Sequence, residues 1–173
     1  MISLALLALS AVGVGACVSS AAYTSKIEAA NPEAEGRMLT VTGHGVNVLT
    51  AGNSGPPTLM IHGAIANARE FTWTLAPRLS ADHRIFMADR PGHGYSERFD
   101  GAEHLGEQAA QMAGVLDQLA PGEKAVIVGH SFGGGVALRL ALDRPDLVKG
   151  LVLIAPVTHD WGGGGQAWYN GIS

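Results

Sequence analysis

One pentapeptide in this chain has the residue types and spacing to present a nucleophile: Gly129-His130-Ser131-Phe132-Gly133. A serine hydroxyl is a weak nucleophile, useful only where the backbone holds it out toward an electrophilic carbon and a base takes its proton. The preceding Val126-Ile127-Val128 is apolar and β-branched, which predicts a buried strand, and a helical pattern runs from the motif to about Leu142. Strand, sharp turn and helix is the context that separates a nucleophile elbow from a chance GxSxG match. Glycines two before and two after the serine remove side chains where helix and strand approach each other.

Such a turn has to be carried by a sheet, and the rest of the chain reads as one. Met38–Thr42 and Val46–Thr50 flank Gly43-His44-Gly45, a pattern that predicts an antiparallel hairpin. Thr58–Ile61 is a short apolar run that stops at His62-Gly63, and Arg84–Ala88 is another that closes in Asp89-Arg90-Pro91-Gly92-His93-Gly94. Between them, Asn67 with Glu70 three residues on has the form of a capping box, and Phe71, Leu75 and Leu79 continue at helical spacing, with Pro77 expected to shorten the last turn. From Glu103 to Leu119 an apolar stripe of Leu105, Ala109, Met112, Leu116 and Leu119 predicts a surface helix, with Gln108 and Gln111 among the residues off the stripe. Pro145 ends the helix after the elbow, and Lys149–Ile154 is a further β-rich run. Strands alternating with helices predict an α/β fold: a mostly parallel sheet with helices on both faces and an N-terminal hairpin.

The totals agree with this. Of 173 residues, 47 % are hydrophobic and 15 % charged, and 24 are glycine, which suits a buried parallel sheet with tight turns and excludes a disordered chain or a coiled coil. A net charge of −4 with no cluster of Lys and Arg gives no case for nucleic acid. A single cysteine excludes an internal disulfide framework. Seven histidines fall in no HxH or HExxH pattern, so no metal site is expected, and the glycine clusters fit neither GxGxxG nor a P-loop, so no nucleotide cofactor is expected.

Residues 1–18 stand apart. Ile2–Val18 carries no charge and ends in Val14-Gly15-Ala16-Cys17. One reading is a membrane anchor, within the usual span range of about 17 to 25 residues. Another is a secretory or lipoprotein-type signal, since the last four residues resemble a lipobox, although Met1-Ile2-Ser3 lacks a basic start. A third is a buried N-terminal helix. Residues 19–37 read as a linker, 38–158 as the body and 159–173 as the start of a cap, so the expected location is membrane-associated, at an inner membrane or as a lipoprotein on the periplasmic side.

In chain order, HG at His62-Gly63, DRPGHGYS at Asp89–Ser96 and GHSFGG at Gly129–Gly134 resemble the α/β-hydrolase fold superfamily, in the branch of cofactor-free haloperoxidases, carbon–carbon bond hydrolases, esterases and lactonases. The resemblance covers about Met38 to Val157. It implies that Ser131 is the nucleophile and forms a covalent acyl-enzyme with a small ester, thioester, lactone or related acyl substrate. It implies further that the backbone N–H groups of Phe132 and Ala64 are the oxyanion-hole donors, and that His62 and Asp89–Ser96 brace the loops. His130, adjacent to the serine on a tight turn, reads as packing or loop support, His93 as a loop hydrogen-bonder and His44 as part of the hairpin turn. Trp161, Trp168 and Tyr169 line a substrate cleft or open a cap.

The family order is serine, acid, then a late histidine. After Ser131 this sequence offers Asp160 as a candidate acid and His159 as a candidate base, both one strand beyond the elbow. The stronger expectation is a fold incomplete at its C-terminal end, with acid and base beyond Ser173, weak stability and little activity by itself. A non-catalytic α/β-hydrolase-like binding or accessory protein, or an inactive fragment, is the rival reading.

Overall fold

The computed structural model describes residues 35–158, and Asp160, His159, Trp161, Trp168, Tyr169 and the 1–18 segment lie outside them. A hairpin opens the fold: β1 (Glu35–Val41) and β2 (His44–Ala51) are joined through Thr42-Gly43, both at positive φ. β1 therefore begins inside the stretch read as linker, and His44-Gly45 belong to β2 rather than to the turn. β3 (Pro57–Ile61), β4 (Arg84–Ala88), β5 (Ala125–His130) and β6 (Val148–Ile154) follow. The strand order is β1-β2-β4-β3-β5-β6, with β1, β2 and β4 antiparallel to their neighbours in turn and β4, β3, β5 and β6 mutually parallel.

Side chains alternate between two cores, as the two-residue period of a strand requires. Leu59 and Ile61 of β3, Phe86 and Ala88 of β4, and Ala125 and Ile127 of β5 face one side. That side is covered by α2 (Leu105–Leu119) and α3 (Phe132–Asp143), which bring Met112, Leu116, Val136 and Leu140. Met60, Ile85, Met87 and Val128 face the other, under a 3₁₀ turn at Ala68–Phe71 and the short α1 (Leu75–Leu79). A strand buried on both faces reads as a continuous apolar run, which is how β3, β4 and β5 appear in the sequence. β6 is different: Leu151 and Leu153 pack on the α2–α3 side, while Val152 and Ile154 are exposed on the other.

Two helical expectations need correction. The pattern from Asn67 to Leu79 is not one helix. Asn67 Oδ1 does cap the 3₁₀ turn by accepting from Arg69 N–H at 2.9 Å, but the Glu70 side chain does not return to the cap as a capping box requires. In α2, Leu105 is exposed while Gln108 and Gln111 are buried, because polar partners on other elements reach them. Gln108 Oε1 accepts from Arg90 Nη1 at 2.7 Å, and Gln111 Nε2 donates to the Thr42 hydroxyl. Among the described residues no helix is long and apolar enough to cross a membrane.

Candidate active site

Ser131 stands between the last residue of β5 and the first of α3, at φ 51° and ψ −118°. A non-glycine residue held there stores strain, of order 1–3 kcal/mol, and persists only where its surroundings over-determine it. Here they do. Ser131 N–H donates to Ile154 O at 2.9 Å, and its carbonyl accepts from Gly134 N at 3.0 Å and Val157 N at 2.9 Å, so β6 and α3 both grip the turn. The flanking glycines are demanded by contact: a Cβ on Gly129 would lie 2.5 Å from Gly133 O, and one on Gly133 would lie 2.2 Å from Ile61 O. The half-buried Ser131 hydroxyl has no hydrogen-bond partner among the described residues.

The loop after β3 passes directly beside it. A Cβ on Gly63 would fall 3.3 Å from both Ser131 Cβ and His130 Nδ1. Three side chains fix the His62-Gly63 part of this loop. Glu70 Oε2 accepts from Gly63 N–H at 3.0 Å, and its other oxygen lies against His130 Nδ1. Arg90, 1 % exposed, donates from Nε to His62 O at 3.0 Å, from Nη2 to Gly63 O at 2.8 Å and from Nη1 to Gln108. His62, fully buried, donates from Nδ1 to Gly63 O at 2.8 Å and accepts the Arg90 backbone N–H at Nε2, 2.9 Å away. That pair of roles belongs to the neutral ring. Burial, reinforced by the Arg90 charge, pushes His62 well below the usual imidazole value and keeps it neutral. Burial also lowers the Arg90 guanidinium to about 10, against the pull of the Glu70 carboxylate.

The Asp89–Ser96 loop is held from within. Asp89 Oδ1 accepts from Ala68 N at 2.6 Å, and Oδ2 accepts from Asn47 Nδ2 at 2.8 Å and Tyr95 N at 3.0 Å. Ser96 Oγ donates back to Asp89 O at 2.8 Å while accepting from Asn47 N at 2.9 Å, which ties the loop to β2. His93 spans the Pro91 and Ala64 carbonyls at 3.0 and 2.9 Å, and burial followed by the Arg90 charge lowers its pKa.

Of the residues singled out from sequence, Ser131, Phe132 and Ala64 are brought to neighbouring strand ends. The Ala64 N–H has no acceptor among the described residues. Asp160 and His159 lie outside those residues. His44, at the start of β2, stacks on Phe99 with ring centroids 3.8 Å apart and approaches Glu97. Sequence reasoning passed over Glu70, assigned to a cap, and Gln108, assigned to a solvated helix face, and it gave Arg90 only a share in the bracing role of Asp89–Ser96. The one available signal was a charge adjoining each of two special loops.

A mostly parallel sheet with a strained serine on the sharp turn between strand and helix, beside a glycine loop at a neighbouring strand end, defines a class of α/β-fold proteins. Residues 56–172 match the family model of the alpha/beta hydrolase fold, and the chain belongs to that family. The 2-hydroxymuconate semialdehyde hydrolase of Pseudomonas sp. strain CF600 is 39% identical over 122 residues, 69% of this chain and 42% of that protein. The pimeloyl-[acyl-carrier protein] methyl ester esterase of Vibrio parahaemolyticus is 40% identical over 101 residues, 58% of this chain and 37% of its own length. Among solved structures, the epoxide hydrolase CorEH superposes with a TM-score of 0.70 at 25% identity, covering 76% of this chain and 46% of that one. The chain thus spans less than half the length of these relatives.

Proposed function

We propose that this chain carries the nucleophile of a serine hydrolase acting on an ester, thioester, lactone or related acyl substrate. Ser131 Oγ attacks the carbonyl carbon, the leaving group departs as alcohol or thiol, and the acyl group stays on the serine until water releases it. The Phe132 and Ala64 N–H groups receive the negative charge that develops on the carbonyl oxygen. The observation that carries this reading is the strained Ser131 backbone, gripped by β6 and α3, with its hydroxyl unpartnered among the described residues. The names of the relatives, two hydrolases and an esterase, support hydrolysis in general, and of the three the esterase names an ester bond.

The step needs a proton acceptor, and the described residues place none on the hydroxyl. Asp160 as the acid and His159 as the base are the weaker reading, because His159 precedes Asp160, the reverse of the family order. A positioned general base contributes about 100- to 10,000-fold, so the 173-residue chain should react with a fluorophosphonate slowly, at Ser131, and not at all as Ser131→Ala. Rapid labelling would show that a base within the chain reaches Ser131, as His159 would. No labelling at Ser131 after prolonged exposure would overturn the nucleophile and leave the non-catalytic binding protein.

Membrane attachment through residues 1–18 belongs to the same proposal, supported by the uncharged run Ile2–Val18 and by Cys17. Cell fractionation checks it: recovery of the whole chain in the soluble fraction would refute attachment, and release by Cys17→Ala alone would favour a lipid over a span.

A further inference from the structure

We infer that Arg90 is the positioning residue that aims the Ala64 N–H at the oxyanion, by holding the carbonyl end of the same peptide unit; this rests on the reading of Ser131 and Ala64 given above. The peptide Gly63–Ala64 is planar and trans, so its C=O and N–H point in opposite directions. Fixing one fixes the other. Gly63 O accepts from Arg90 Nη2 and from His62 Nδ1, both at 2.8 Å, which leaves the Ala64 N–H directed away from the guanidinium. On the other side of Gly63, its own N–H is held by Glu70. The two peptide units of this glycine are therefore clamped between a cation and an anion, in contact with the serine turn.

Arg90 also touches the second donor's residue. Its guanidinium carbon lies 4.7 Å from the centroid of the Phe132 ring, and Gln108 of α2 anchors its far side at Nη1. One buried cation thus spans the two segments that supply the oxyanion-hole amides. A carbonyl that accepts from a charged donor polarises its own peptide, which strengthens the N–H at the other end. Lysine can supply the charge but not the planar fork that reaches His62 O, Gly63 O and Gln108 together.

The test separates oxyanion stabilisation from general damage by placing a thiol at the site with Ser131→Cys, since a thiolate needs no base. Attack on p-nitrophenyl acetate forms a C–S bond through an oxyanion and expels p-nitrophenolate. Attack on iodoacetamide forms a C–S bond by displacing iodide, with no oxyanion. Peptide mapping separates residue 131 from Cys17, the other thiol. Adding Arg90→Lys should slow acylation at residue 131 by at least about 10-fold, in line with the cost of small misplacements in a reacting geometry, and leave alkylation within about 2-fold. Equal losses in both reactions, or none in either, would overturn the role of Arg90. Should Arg90→Lys fail to fold, Gln108→Leu decides: several-fold slower acylation with unchanged alkylation is expected, and unchanged acylation overturns the inference. If the thiol of the Ser131→Cys chain acylates no faster than N-acetylcysteine, the oxyanion reading itself fails, a result distinct from failure of the Arg90 inference.

Discussion

A Cβ placed on Gly94 would lie 2.1 Å from Asp89 Oδ2, inside any possible contact distance, and Gly94 itself sits at φ +54°. The Asp89–Ser96 loop closes only because residue 94 lacks a side chain. Gly94→Ala adds left-handed strain and drives the Asp89 carboxylate off the N–H groups it serves. A loss of about 2–4 kcal/mol is expected, from strain plus broken buried hydrogen bonds. Urea unfolding measures it, and a loss under about 0.5 kcal/mol would show that the loop re-forms without these bonds.

Ser131 presents the opposite case, a strained residue kept where glycine would be relaxed. Ser131→Gly should unfold at higher denaturant than Ser131→Ala, by about 1 kcal/mol, because only the first substitution relieves φ 51°. Equal midpoints for the two variants would remove strain from the account of the elbow.

Buried His62 makes stability depend on pH. Its folded-state pKa is depressed, chiefly by burial, so below the unfolded value of about 6.5 the unfolded chain binds a proton that the folded chain excludes. The neutral ring's contribution is complete above about pH 6.5 and is lost as pH falls from there toward the folded-state value. The slope from one such group approaches 1.4 kcal/mol per pH unit, set by 2.303RT. Thermal melts from pH 8 to 5 should therefore fall more steeply for the parent chain than for His62→Gln. Parallel curves would mean that His62 takes up its proton as readily folded as unfolded.

The amino-acid sequence by itself determined the α/β class, the hairpin, the alternating elements and Ser131 at the elbow. Each of these is written in local terms: a two-residue or helical period, a β-branched run, a glycine at fixed offset. Tertiary structure decided where the polar residues went. Arg90 reads as loop and Gln108 as solvated helix face, yet both are buried, because each is the other's partner and β3 ends between them. Glu70 reads as a cap, yet it holds Gly63 and His130, since a carboxylate goes to the donors that the sheet's strand order brings near it. The strand order β4-β3-β5 sets the loops carrying Arg90, Gly63 and Ser131 side by side from distant parts of the chain. Burial of a charge depends on which partners arrive, and no local period encodes that arrival.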